Sequence, residues 1–307
     1  MFHILLADAT NLLAGSILTV LFVAGLAAML LWWRRSQLTF GQTLLWLVNY
    51  LIARLLWGTR VEGSLPQQEG VGAVIVSNHR SGVDPSFIQT CVRRVVYWMV
   101  AREYCEIPGL GYLLRILLQV IPVGRGGIDT AATKLAIRLA QQGGLVGMFL
   151  EGRINETDKL LLPGRPGAAL VALKARVPVI PVFITGSPYD GTPLGPLKMR
   201  AHVRVKIGQP IDLSQYYGRE KEAGVMEEIT KQLLREIARL AGQPNFEPQL
   251  AGRRWKRGEE EIENGNGNGV ESNRVEPHAP ASPGENVGQN GHGAGSSSPI
   301  DRPTTAG

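Results

Sequence analysis

The stretch VGAVIVSNHRSGVDPSF, residues 71–87, decides how the rest of the chain is read. Its first half is a short, continuous apolar run, the pattern of a strand buried in the middle of a sheet. Its second half turns abruptly polar and delivers His79, with Asp84 following after four residues. A strand that ends at Ser77 carries His79 to the carboxyl edge of a sheet, where open α/β proteins build their sites. A carboxylate bonded to one imidazole nitrogen leaves the other free to take a proton, so the pair invites a catalytic reading. Asp84 also precedes Pro85, and capping a short helix is its plain structural alternative.

Outward from this strand the pattern repeats. Residues 95–100, 145–150, 179–184 and 203–207 are further apolar, β-rich runs. Asp129 is a good N-cap for a helix through Gln142, closed by Gly143 and Gly144, and residues 167–175 read as a shorter helix ending before Pro178. After Glu220 a charged amphipathic helix runs to about Leu240. Strands alternating with helices from residue 60 to 245 predict an α/β domain, a sheet flanked by helices.

Both ends of the 307-residue chain differ from this middle. No charged residue occurs from Ala9 through Trp33, and the nearly unbroken apolar run from Leu12 is long enough to cross a bilayer. A cleaved signal would carry positive charge ahead of its apolar run, whereas here Arg34 and Arg35 follow it. Residues 1–36 are therefore expected to form a membrane anchor, and the two arginines place the downstream chain on the cytoplasmic face. Residues 37–59 hold a second apolar stretch, interrupted by Asn49 and Arg54 and short for a span; it reads as an interfacial helix, with a buried core helix as the alternative. Residues 246–307 include a Gly-, Asn-, Ser- and Pro-rich tail with few large apolar residues, expected to stay disordered.

The formal charge is +6, and the tail from Arg253 holds six basic and eight acidic side chains, leaving about +8 on the rest. That excess suits anionic lipids or phosphorylated ligands. No nucleic-acid module or aromatic-interleaved basic stripe is present, so nucleic acid is not expected as a partner. Cys91 and Cys105, the only cysteines, are too few for a disulfide framework or a metal cluster and read as packing residues.

Three more stretches carry chemistry-bearing residues. In GMFLEGRIN, residues 147–155, an apolar strand runs into a turn bearing Glu151, Gly152 and Arg153, where a forked guanidinium could grip a phosphate. In IPVGRGG, residues 121–127, Arg125 sits among three glycines. In VPVIPV, residues 177–182, two prolines mark a strand entry and an edge or bulge.

In this order the blocks resemble the lysophospholipid acyltransferase family, above all the bacterial 1-acylglycerol-3-phosphate acyltransferases, over about residues 60–210. The family's pattern is an Asn-His with an Asp five positions after the His, an Arg-containing loop, a Glu-Gly-Thr-Arg turn and a Val-Pro-x-x-Pro strand. Here these are Asn78, His79 and Asp84; Arg125; Glu151, Gly152 and Arg153; and Val177, Pro178 and Pro181. The resemblance implies a glycerolipid acyltransferase-like fold. His79 would be the general base that takes the acceptor's hydroxyl proton, with Asp84 holding its ring. It implies Asn78, Arg102, Arg125, Glu151, Gly152 and Arg153 as the substrate-binding set, with Arg125 and Arg153 on the acceptor's phosphate and Arg102 adding positive charge to the groove. The co-substrate would be an acyl-carrier-protein or coenzyme A thioester at the surface of membrane phospholipids, attacked directly, with no cofactor, metal or acyl-enzyme. Position 124 is Gly where an acidic or polar residue often stands, Leu150 replaces a common proline, and the Thr is missing, so Arg153 directly follows Gly152.

Other acceptors, such as glycerol 3-phosphate, another lysophospholipid or a lyso-aminolipid, fit the same chemistry. A serine hydrolase would need a Gly-x-Ser-x-Gly elbow, which the chain lacks. A non-enzymatic lipid-binding protein would have little use for His79 and Asp84 together.

Overall fold

A computed structural model describes residues 2–34, 36–68, 70–124, 129–192 and 195–252. Arg125 and the tail beyond residue 252 lie outside the described residues. Two helices lead the chain, α1 (Phe2–Arg34) and α2 (Phe40–Leu55). There follow β1 (Arg60–Glu62), β2 (Ala73–Ser77), α3 (Asp84–Gln89), β3 (Val96–Ala101) and the short turns α4 (Arg102–Cys105) and α5 (Leu110–Tyr112), the last running into a π-helical turn, Leu113–Leu117. The remainder is β4 (Ile121–Val123), α6 (Thr130–Gln141), β5 (Leu145–Phe149), α7 (Gly167–Ala175), β6 (Val179–Thr185), β7 (Arg204–Ile207) and α8 (Val225–Leu240).

The seven strands form one sheet in the order β1-β7-β6-β2-β5-β3-β4. The neighbours from β6 to β4 are parallel, β7 runs antiparallel to β6, and β1 is parallel to β7. β2 lies at the centre and is buried at every position, because both faces of the sheet are covered. Its side chains alternate between two cores: Val74 and Val76 pack with α6, α7 and α8, while Ala73 and Ile75 pack with α2 and α3. Alanines 132, 136 and 140 let α6 approach closely, and Ile229, Leu233 and Ile237 give α8 its buried stripe at helical spacing.

The expected strands and helices are present, with ends shifted by one or two residues and the start of α8 by a few more. Asp129 caps α6 by accepting from Ala132 N at 2.9 Å. Three points differ from the expectations. Asp84 is the first residue of α3 rather than its cap, and that position belongs to Val83. Residues 37–59 are not a separate segment, because Ala53 and Trp57 are fully packed in the second core and the Trp57 indole donates to Pro196 O at 3.1 Å. Nor does the packed domain end at 245: Phe246 and Leu250 lie against the first core, and Gly164 exchanges backbone hydrogen bonds with Gln249 and Ala251.

The two faces of α2 differ. One face is tied to the domain, with Trp46 donating to Gln89 O and Val92 O and Asn49 to Ser86 O. The other exposes Phe40, Leu44, Leu47, Val48, Leu51 and Leu55. In α1, Leu13–Leu31 has a mean hydropathy of 2.3 with none of it buried, long and apolar enough to cross a membrane.

Candidate active site

Strand register brings the site together. Ser77 at the end of β2 is paired with Phe149 of β5 on one side and Val182 of β6 on the other. Two residues further along each chain, His79, Glu151 and Ile184 therefore reach the same carboxyl edge.

His79 Nδ1 lies 3.0 Å from Asp84 Oδ2. The same oxygen accepts from Arg80 N at 2.6 Å and Ser81 N at 2.8 Å, and Oδ1 accepts from the Ser187 hydroxyl at 2.6 Å. The Asp84 side chain is wholly buried, so these donors replace the water it has lost. An acceptor held against Nδ1 keeps the proton on that nitrogen and leaves the Nε2 lone pair outward. The His79 side chain keeps 15 % of its surface exposed.

The imidazole is also held from its face. Its ring stacks on Phe149, centroids 3.7 Å apart and 5° from parallel, and Phe149 stacks on Trp98 at 4.8 Å. Gly147 makes this ladder possible: a Cβ there would fall 2.6 Å from the Trp98 ring.

Asn78 and Glu151, expected in the substrate-binding set, bond the backbone on either side of the histidine loop. The Asn78 amide donates to Ile184 O and accepts from Ile184 N, both at 2.8 Å, extending the β2–β6 pairing by a side chain. It is 1 % exposed, and its Oδ1 also accepts from the Ser77 hydroxyl at 3.3 Å. Glu151 is similarly buried, and its carboxylate accepts from His79 N at 2.8 Å and Leu162 N at 2.9 Å. Burial pushes its carboxyl up to about 7, with the two backbone donors pulling the other way. Gly152 turns the chain at φ 68°, and Arg153 follows it at the surface. Arg102 stands at the end of β3, its side chain 56 % exposed and 3.3 Å from Asp129, and lines a cavity of about 330 Å3 with Cys105, Glu106 and Arg115 rather than joining the His79 network.

Sequence reasoning missed Ser187 and Arg80. Ser187 follows β6 in a TGSP stretch that reads as any turn does. The Arg80 guanidinium gathers the carbonyls of Asn155 and Lys159, at 3.1 and 2.6 Å, and so fastens the turn after Glu151 to the His79 loop. Asn155 N completes the junction by donating to His79 O at 2.7 Å. Neither cysteine suits a nucleophile, because burial pushes the Cys91 thiol up to about 11 and also raises that of Cys105.

A buried carboxylate bonded to a histidine at a strand edge is an arrangement that can serve general-base chemistry. Residues 58–185 match the Acyltransferase family model, so this stretch is similar to that family of enzymes. Among its relatives, the 1-acyl-sn-glycerol-3-phosphate acyltransferase of Bacillus subtilis is 23 % identical over 187 residues, 60 % of this chain and 90 % of that one. The human 1-acyl-sn-glycerol-3-phosphate acyltransferase beta is 31 % identical over 134 residues, 42 % of this chain and 48 % of the human protein, so the match spans about half of that relative. The crystal structure of the 1-acyl-sn-glycerophosphate acyltransferase of Thermotoga maritima aligns with a TM-score of 0.49 and 22 % identity over 65 % of this chain and 81 % of that one.

Proposed function

We propose that the protein transfers a fatty acyl group from an acyl-carrier-protein or coenzyme A thioester to 1-acyl-sn-glycerol 3-phosphate, forming phosphatidate in phospholipid synthesis. The observation that carries this reading is the His79–Asp84 pair at the carboxyl edge of β2, with Nε2 left available. Nε2 takes the proton of the acceptor hydroxyl as its oxygen attacks the thioester carbonyl. A C–O bond forms, the tetrahedral intermediate collapses with loss of the C–S bond, and the imidazolium returns its proton to the leaving thiolate. Asp84 stabilises the transient imidazolium without itself taking the proton. His79 and Asp84 are the catalytic pair in this account, and Arg125 and Arg153 bind the acceptor's phosphate.

The reaction belongs at a membrane surface. The apolar run of α1 and the exposed apolar face of α2 support attachment, and Arg34 at the end of α1 supports a cytoplasmic face for the domain.

Purified full-length protein in detergent, offered phosphorylated and unphosphorylated lysolipids with each thioester donor, tests the reading by mass spectrometry of the products. Phosphatidate from lysophosphatidate is expected. Equal transfer to unphosphorylated acceptors, or hydrolysis without transfer, would overturn it.

A further inference from the structure

Arg60, the first residue of β1, and Arg204, the first residue of β7, are register partners on parallel neighbouring strands. Thr185, the last residue of β6, is the partner of Arg204 on its other side. The three form one row across the sheet, and all are exposed. Val61, Val205 and Ile184, their neighbours in each strand, pack into the second core with Ala53 and Trp57. The alternation of a strand therefore turns Arg60, Arg204 and Thr185 to the opposite face, away from the layer that carries α2.

Like charges directly opposite one another on adjacent strands destabilise a sheet. Among the described residues neither arginine forms an ion pair, and Glu62, the carboxylate of β1, is level with Lys206 instead. An anion lodged between the two would remove their repulsion, and two forked guanidiniums beside a hydroxyl suit a phosphate.

The place of the row in the fold says which phosphate. β6 runs parallel to β2, so Thr185 ends at the carboxyl edge that carries His79, and β7 and β1 begin there. β7 is two strands from β2 and β1 three, which puts the arginines about 10–15 Å to the side of the histidine's strand. A phosphate within a few bonds of the reacting hydroxyl, as in the proposed acceptor, does not reach that far. The pantetheine arm of a thioester donor has the length of roughly four or five extended residues, about 15 Å, and does. Lipid headgroups suit the row less well, because the exposed apolar residues of α2 belong to the other side of the sheet.

We propose that Arg60 and Arg204, with Thr185, bind the phosphate at the far end of the acyl donor's pantetheine arm. This rests on the reading of the protein as a thioester-dependent acyltransferase. Coenzyme A and a carrier protein both present that phosphate.

Steady-state kinetics of the full-length enzyme in detergent test the assignment, with one acyl chain carried by coenzyme A, by a carrier protein and by pantetheine lacking the phosphate. Arg60→Gln and Arg204→Gln should each raise the KM for a phosphate-bearing donor about tenfold or more, and leave the KM for lysophosphatidate and all rates with acyl-pantetheine unchanged. The donor that shows the effect identifies the source of the phosphate. Phosphopantetheine should raise the thermal midpoint of the wild-type protein and do so less for either variant, a readout independent of turnover. If the wild-type enzyme uses these donors and both variants keep their KM, the assignment is wrong and the proposed function stands. The same holds if the variants lose binding to vesicles of anionic phospholipid while the donors' KM is unchanged, which would give the row to headgroups. A wild-type enzyme that transfers from no thioester would overturn both.

Discussion

Ser187 and Asp84, 103 residues apart in the chain, are joined by a 2.6 Å hydrogen bond from the serine hydroxyl to carboxylate Oδ1. The other oxygen serves His79, Arg80 and Ser81, so among the described residues Ser187 is the side chain that fixes the carboxylate from the loop after β6. A hydrogen bond to a charged group is worth about 1.5–3 kcal/mol. Ser187→Ala should lower kcat about tenfold with little change in either KM, and Ser187→Thr should recover most of it. An unaltered kcat in the alanine variant would show that Asp84 needs no such support.

His79→Ala should reduce turnover by a factor of about a hundred to ten thousand, the usual cost of removing a positioned base. Circular dichroism should be unchanged, since the ring stacks on Phe149 at a partly open edge. Asp84→Asn should be severe as well, because an amide cannot accept from all the donors converging on that carboxylate. Alanine at Cys91 or Cys105 should leave most activity. Loss of activity in either cysteine variant would point to a covalent route.

Gly147→Ala probes the aromatic ladder. The new methyl would meet the Trp98 ring and force it off Phe149, and through Phe149 disturb His79. Overpacking of this kind costs about 1–3 kcal/mol, so the thermal midpoint should fall and kcat with it. A fully stable, fully active variant would mean that the stack does not steady the base.

Glu151 predicts a pH dependence of stability. Its carboxyl is raised from 4.5 to about 7 in the folded protein, so between those values the folded state holds a proton that the unfolded chain has released. Its contribution to stability is complete below pH 4.5 and is lost as pH rises to about 7. In thermal melts across that window, the stability of the wild-type protein relative to Glu151→Gln should decline with rising pH, by up to about 3 kcal/mol. A difference independent of pH would place the titration elsewhere.

The central strands were legible because each is a short apolar run covered on both faces, and β2 with its two neighbours sufficed to bring His79 and Glu151 to one edge. β1 and β4 were not, since three residues at a sheet margin carry no period to read. The dual character of α2 was half legible: its apolar residues were plain, but which of them face Trp57 and which face outward depends on partners that come later in the chain. The site shows the same division. His79 and Asp84 share one loop and announce themselves by spacing, whereas Asn78, Glu151, Arg80 and Ser187 acquire their roles through bonds across 72 to 106 residues of chain, which no local pattern records.

The strand order also sets a timetable for synthesis. β1 has no partner until β7 arrives, since Arg60 pairs with Arg204, and Asp84 lacks its donor from the loop after β6 until Ser187 has been made. A nascent chain emerging at about 5–20 residues per second therefore carries the histidine and its carboxylate for several seconds before the far strands can close over them. The sheet is a long-range closure, assembled late and all but together, so acyl transfer can begin only once nearly the whole domain has left the ribosome.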